Sequence, residues 1–153
     1  IKKKFLNSSV TFYTNLSRPS ELILSSQKKK YLSKNENEKF MHDLVKIGKE
    51  IKNKLLLGDI KTVGHLFNEH WQIKKNLSNN MSNSFINKLY NYGIKSGAYG
   101  GKIIGAGGGG YIMFVLDSQK KKNFIKKFKK FNLSPLNWNF SDQGTTLITN
   151  TNK

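Results

Sequence analysis

Gly97-Ala98-Tyr99-Gly100-Gly101-Lys102-Ile103-Ile104-Gly105-Ala106-Gly107-Gly108-Gly109-Gly110 holds eight of the thirteen glycines in this 153-residue chain. Each glycine costs about 0.5–1 kcal/mol of chain entropy relative to alanine, so such density needs a reason. Four glycines in a row remove every Cβ from one stretch of backbone, allowing positive φ and a close approach of amide N–H groups to a ligand. Convergent N–H donors suit phosphate oxygens. A flexible linker does not fit, because Ile103 and Ile104 precede the glycines and the apolar run 111–116 follows them. Residues 105–110 therefore read as a turn between two strands whose amides face an anion. Gly100, Gly101, Lys102, Gly105, Ala106, Gly107, Gly108, Gly109 and Gly110 are the candidate phosphate- or substrate-binding residues, with Lys102 placed either to offset phosphate charge or to face solvent from its strand.

Two better-known glycine signatures are excluded. Residues 105–110 formally satisfy GxGxxG, but a dinucleotide fingerprint needs strand, turn and helix, with an acidic residue about 20 positions on. Here the glycines run into a strand, and the first acid, Asp117, comes too soon. A Walker loop fails as well, since no Gly-Lys-Ser/Thr closes it.

Working outward, residues 6–14 read as a strand through Val10-Thr11-Phe12-Tyr13-Thr14, ending at a breaker cluster that runs to Pro19. Thr14 and Arg18 sit at that strand end, a common place for ligand contacts. Arg18 is the only arginine, and a guanidinium pairs phosphate in bidentate fashion. Ser20 opens a polar helix with Leu22, Ile23 and Tyr31. From Phe40, the residues Leu44, Ile47, Ile51 and Leu55 recur at helical spacing, and Gly58 supplies the stop. Asp59 caps the next helix, with Val63, Leu66, Phe67, His70 and Trp71 inward, to about Leu77. Ser82 begins another, with Phe85, Ile86, Leu89, Tyr90 and Ile94 inward and Gly97 at its end. A helix from Ser118 puts Phe124, Ile125, Phe128 and Phe131 on one face. Residues 136–140 and 145–149 read as two short strands joined by a hairpin-like turn. Strands at both ends with helices grouped between them describe an α+β fold, one antiparallel sheet covered by helices, in a single domain over residues 1–153.

The net charge of +18 points first to polyanions, yet almost all of it is lysine spread along a chain rich in Asn and Ile. Readers of nucleic-acid sequence lean on arginine, so nucleic acid is not the expected partner. The basic helix face of Lys120, Lys121, Lys122, Lys126, Lys127, Lys129 and Lys130 reads as solvated. The absence of cysteine excludes disulfides and thiolate metal sites and is compatible with a reducing cytoplasm. No apolar run approaches the ~20 residues of a membrane helix. His70 beside Trp71 reads as a packed side chain, and His42 and His65 lack partners at metal-ligand spacing, so no metal site is assigned.

Residues 100–110 resemble the third conserved motif of the GHMP kinases. The preceding Ser96-Gly97-Ala98, the upstream His70-Trp71-Gln72-Ile73-Lys74-Lys75-Asn76-Leu77-Ser78 and the closing Leu136-Asn137-Trp138-Asn139-Phe140-Ser141-Asp142-Gln143-Gly144 are similar to the heptose 7-phosphate kinases of that family. Phe12-Tyr13-Thr14-Asn15-Leu16-Ser17-Arg18 resembles their Phe-Tyr-Thr-Gly-x-x-Arg segment, with Asn15 in place of glycine. The resemblance implies a ferredoxin-like GHMP C-terminal domain whose loop borders a phosphoryl-transfer centre, with ATP and Mg²⁺ held mainly by an N-terminal half. The family's Pro-x-x-x-Gly-Leu-x-Ser-Ser loop does not occur in this sequence. The expected partners are therefore ATP, a sugar phosphate and that N-terminal half; a fucose- or galactose-like acceptor, or a non-catalytic module binding sugar phosphates or polyanions, are the competing expectations.

Overall fold

A computed structural model of the chain describes residues 1–17, 19, 21–22, 24–26, 28, 36–77 and 80–145. Helix α1 (Lys2–Asn7) leads into strand β1 (Ser9–Tyr13). Helices α2 (Glu36–Leu56), α3 (Ile60–Asn76) and α4 (Ser84–Lys95) follow, then strands β2 (Ala98–Ile104) and β3 (Tyr111–Leu116), and helix α5 (Lys121–Phe128) between two 3₁₀ turns. The sheet is antiparallel in the order β1-β3-β2. This is the expected α+β class.

Local signals account for the helix boundaries. Gly58 takes φ +69° after α2, where its N–H meets the Leu55 carbonyl at 2.9 Å and the Asp59 N–H meets that of Lys54 at 2.9 Å, a left-handed stop. The Asp59 side chain accepts from the Thr62 amide at 3.1 Å and so caps α3. Hydrogen bonding by the Thr62 side chain, and then by its amide, holds the Asp59 carboxyl below the usual carboxylate range. Asn83, not Ser82, caps α4, accepting from the Ile86 amide at 2.9 Å. Ile94 points outward, against expectation, while Ile86, Leu89 and Tyr90 are buried.

Register places the core. Val10 lies opposite Phe114 and Phe12 opposite Ile112, with Gly101 and Ile103 continuing those rows on β2. That face packs against α4 and α5, where Phe12 stacks on Phe128 with centroids 4.5 Å apart. A second cluster joins Phe5 of α1, Ile60 and Val63 of α3 and Val115 of β3. Residues 6 and 7, read from sequence as the start of the strand, belong to helix α1 instead, because this pocket takes Phe5.

The predicted strand at 136–140 is a correction. Pro135 makes one bridge to Phe12, and the Leu136 amide donates to the Thr11 carbonyl at 2.8 Å, after which the chain leaves the sheet edge. Trp138 turns onto Phe5 and Phe140 instead, at centroid distances of 6.3 and 5.4 Å. Packing of the two aromatics on α1 thus overrides the alternating pattern. The second strand of the expected hairpin lies outside the described residues beyond Thr145, as do Ser20, Ile23 and Tyr31 of the early helix. Among the described residues no helix is long and apolar enough to cross a membrane.

Candidate functional site

Six residues, 105–110, carry the chain from β2 to β3. Gly105, Gly107, Gly108 and Gly110 have φ of +83°, +106°, +73° and +78°, a path open to glycine and costly for other residues. The loop is clasped from two sides. Gly110 donates its N–H to the Leu16 carbonyl at 2.8 Å and accepts at its own carbonyl from the Thr14 amide at 2.8 Å and the Thr14 hydroxyl at 2.9 Å. Gly108 donates to the Met81 carbonyl at 2.8 Å, and the Asn83 amide group reaches the Gly108 carbonyl at 3.4 Å. The end of β1 and the cap of α4 therefore hold the bend in place.

Two of the loop amides are consumed by this clasp. Gly107 and Gly109 lie buried beside them. Both line a cavity of about 180 Å³ together with Tyr13, Leu16, Ser17 and Ala106. A bend of successive glycine amides makes a concavity that favours a ligand rich in acceptor oxygens.

The family model described as GHMP kinases C terminal matches residues 49–132, more than half of the chain, the glycine bend included. The chain belongs to the GHMP kinases. A D-glycero-alpha-D-manno-heptose 7-phosphate kinase of Campylobacter jejuni is 31% identical over 135 residues, covering 88% of this chain and 40% of that protein. A bifunctional fucokinase/GDP-fucose pyrophosphorylase of Arabidopsis thaliana is 29% identical over 104 residues, covering 65% of this chain and 10% of that protein. Among solved structures, L. major mevalonate kinase in complex with R-mevalonate superposes with a TM-score of 0.74 at 18% identity, over 80% of this chain and 37% of that one, a likeness of fold. The chain thus spans well under half the length of the relatives it matches.

Within this GHMP domain the residues expected at the site separate into groups. Gly105, Ala106, Gly107, Gly108, Gly109 and Gly110 make the bend, and Thr14 lies at its base, 1% exposed, with its hydroxyl given to Gly110. Gly100 and Gly101 lie within β2, away from the cavity. A Cβ on Gly100 would stand 1.8 Å from the Gly64 carbonyl oxygen of α3, and one on Gly101 would stand 2.6 Å from the Met113 carbonyl oxygen, so close packing accounts for both. Asn15 takes φ +56°, the left-handed conformation that the resembled segment assigns to glycine and that asparagine tolerates. Arg18 lies outside the described residues.

Lys102 is half-buried between β2 and α3, its ammonium 5.6 Å from the Phe67 ring. Burial, and then the charge of Lys74, push it down to about 8. Lys74 itself donates to the Gly105 carbonyl at 2.5 Å, and burial lowers it too. His70, one turn before Lys74, is pushed down to about 4, first by burial and then by Lys102 and Lys74. Its Nδ1 is buried without a partner. Sequence reading assigned no role to Lys74 and only packing to His70; their i, i+4 spacing on α3 was the available signal. By contrast, Lys121 of the basic helix donates to the Leu6 carbonyl at 2.7 Å, and Lys130 covers the Tyr92 ring at 3.5 Å.

Proposed function

We propose that this chain is the C-terminal part of an ATP-dependent sugar kinase that phosphorylates D-glycero-D-manno-heptose 7-phosphate at its anomeric hydroxyl. The observation that carries this is the glycine bend, whose buried Gly107 and Gly109 line a small cavity where β1 ends. Phosphoryl transfer needs little covalent chemistry from the protein and depends on positioning and on stabilising charge. The glycine loop serves both needs: N–H groups along its bend meet phosphate oxygens, and its clasp to Thr14, Leu16 and Met81 holds the bend in place. The cavity suits a phosphate in size and donor chemistry. Gly105, Ala106, Gly108, Gly110 and Thr14 position the loop, Lys102 offsets charge at its root, and Arg18 is proposed to reach the same phosphate. No residue of this chain is proposed as catalytic.

In this reading residues 1–153 form one C-terminal domain, and an N-terminal half supplies the nucleotide loop. ATP arrives with Mg²⁺, whose ligands in this reading come from the nucleotide and the other half. The protein acts in the cytoplasm, where ATP and sugar phosphates occur together.

The heptose reading is supported by the 31% identity to a heptose 7-phosphate kinase over most of the chain. A fucose-like acceptor is the second reading, supported by the shorter match to the fucokinase. To test both, the chain is joined to an N-terminal half bearing Gly-Leu-x-Ser-Ser, and ADP release is measured with heptose 7-phosphate, fucose and galactose. Turnover with the heptose phosphate at least tenfold above the neutral sugars is expected. Turnover on fucose alone replaces the acceptor, and full activity after Gly109→Val removes the loop from the mechanism.

A further inference from the structure

We propose that Lys74, Lys102 and His70, gathered between α3 and β2 at the root of the glycine loop, form a subsite for a phosphate monoester dianion: the phosphate of the acceptor sugar that does not react. This inference rests on the kinase reading for the ligand's identity. The anion subsite itself rests on the placement of His70 and Lys74 at one cavity rim and on the charge of Lys102 beside them.

Half-buried cations are normally paired with carboxylates or given to solvent. Here neither holds. Among the described residues no Asp or Glu forms an ion pair with any of the three. The charge that acts on Lys102 is that of Lys74, so the two ammonium groups repel each other in a partly desolvated place, and burial together with both lysines keeps His70 neutral. His70 adds a buried ring nitrogen without a partner. A compact dianion answers all of these at once, by screening the repulsion and accepting from the ammonium groups and the imidazole.

Position fixes the relation to the loop. Lys74 ties the cluster to the Gly105 carbonyl, at the end of the loop opposite Gly109 and Gly110. His70 and Lys74 also rim a cavity of about 460 Å³ whose walls include Leu24, Met41, Leu44 and Leu77, with Lys28 at its edge. The hydrogen bond from Lys74 to Gly105 sets such a phosphate beside the first residue of the loop, and the proposed ligand runs from there toward the Gly107–Gly109 cavity. That arrangement suits a sugar phosphorylated far from its reacting hydroxyl, and it gives a neutral acceptor nothing to bind at the second place.

The test uses the 153-residue chain labelled with ¹³C at the lysine ε carbons. Inorganic phosphate, heptose 7-phosphate and ATP are titrated in turn at constant ionic strength, with chloride as reference. Lys74 and Lys102 are expected to shift saturably with inorganic phosphate and with heptose 7-phosphate, the sugar phosphate saturating at lower concentration. Lys102→Met and Lys74→Met are each expected to weaken heptose 7-phosphate at least tenfold. Shifts no larger than those with chloride overturn the subsite, as does a response to ATP alone, which would assign the cluster to the nucleotide. Lysine shifts with phosphate in a protein whose completed form releases no ADP leave the subsite standing and refute the kinase reading. ADP release from heptose 7-phosphate unchanged by both methionine variants does the reverse.

Discussion

Gly109→Ala adds one methyl group at a position with no backbone reason to exclude it. Gly109 is not among the residues with positive φ. What excludes the methyl is the end of β1: the new Cβ would lie 2.5 Å from the Leu16 carbonyl oxygen, 3.1 Å from its carbon and 3.2 Å from its Cβ. All three lie inside the roughly 3.5 Å at which non-bonded heavy atoms rest. Leu16 cannot yield cheaply, because its carbonyl holds the Gly110 amide at 2.8 Å and Gly110 in turn holds Thr14. Overpacking of this kind costs about 1–3 kcal/mol, and weakening one or two of the clasp's hydrogen bonds adds about 0.5–1.5 kcal/mol each. A total of about 2–4 kcal/mol, divided by a urea m-value of about 2 kcal/mol/M, lowers the unfolding midpoint by about 1–2 M. Gly48→Ala is the control: it sits in α2 with nothing within 4 Å of the added Cβ, and should stabilise the protein by about 0.8–1 kcal/mol through helix propensity. Urea unfolding followed by circular dichroism reads both variants. A Gly109→Ala midpoint within 0.3 M of the wild type, a tolerance set by the usual error of about 10–15% in such fits, would refute the clasp as the reason for glycine here.

Gly100→Ala should be at least as damaging, by about 3 kcal/mol, since its Cβ would meet the Gly64 carbonyl oxygen at 1.8 Å and part α3 from β2; a thermal melt resembling the wild type would contradict that contact. Asn15→Val should cost about 1–2 kcal/mol because a β-branched residue resists φ +56°, whereas Asn15→Gly should be close to neutral, both measured by urea unfolding. Lys102 has its pKa depressed to about 8 against an ordinary 10.5, with Lys74 and His70 as the titratable groups facing it, so between those values the unfolded chain holds more protons and stability rises with pH. The urea midpoint of the wild type should therefore gain on that of Lys102→Met from pH 8 to pH 10, and a constant difference would reject the depression. An anion at the cluster raises Lys102 again, so phosphate binding near pH 9 should take up a fraction of a proton, seen calorimetrically as a buffer-dependent enthalpy; no dependence on buffer would place phosphate elsewhere.

Helices were legible because their signals are local. The Asp59 cap, the Gly58 stop and the apolar spacing of Val63, Leu66 and Trp71 each act within one or two turns, and the structure repeats them. The glycine turn between two strands was legible for the same reason. Two elements were not. The helix at residues 2–7 exists because Phe5 finds Ile60, Val63 and Val115, partners more than fifty residues away. Residues 136–140 carry a strand pattern, but Trp138 and Phe140 gain more by packing on Phe5 than a single edge ladder returns.

The site shows the same division at finer scale, because a glycine in a sequence does not say which freedom it is using. Gly105 and Gly110 meet nothing within 4 Å of an added Cβ and are required by φ alone. Gly100 and Gly101 are required by the backbones of α3 and β3 pressing on them, which explains how a phosphate motif came to include residues that line no cavity. Gly107 answers to both demands, with φ +106° and Met81 Sδ 2.2 Å from an added Cβ. The lysines carry the same ambiguity in charge. Most of the 26 lysines implied by 27 basic residues and one arginine are solvated, and nothing in the spelling of residues 70–75 marks Lys74 apart from Lys75. What distinguishes Lys74 is a hydrogen bond to a residue thirty-one positions away, at the first glycine of the loop. A cation held there by the backbone it serves, facing another cation and no carboxylate, has its charge left over for something the chain does not contain.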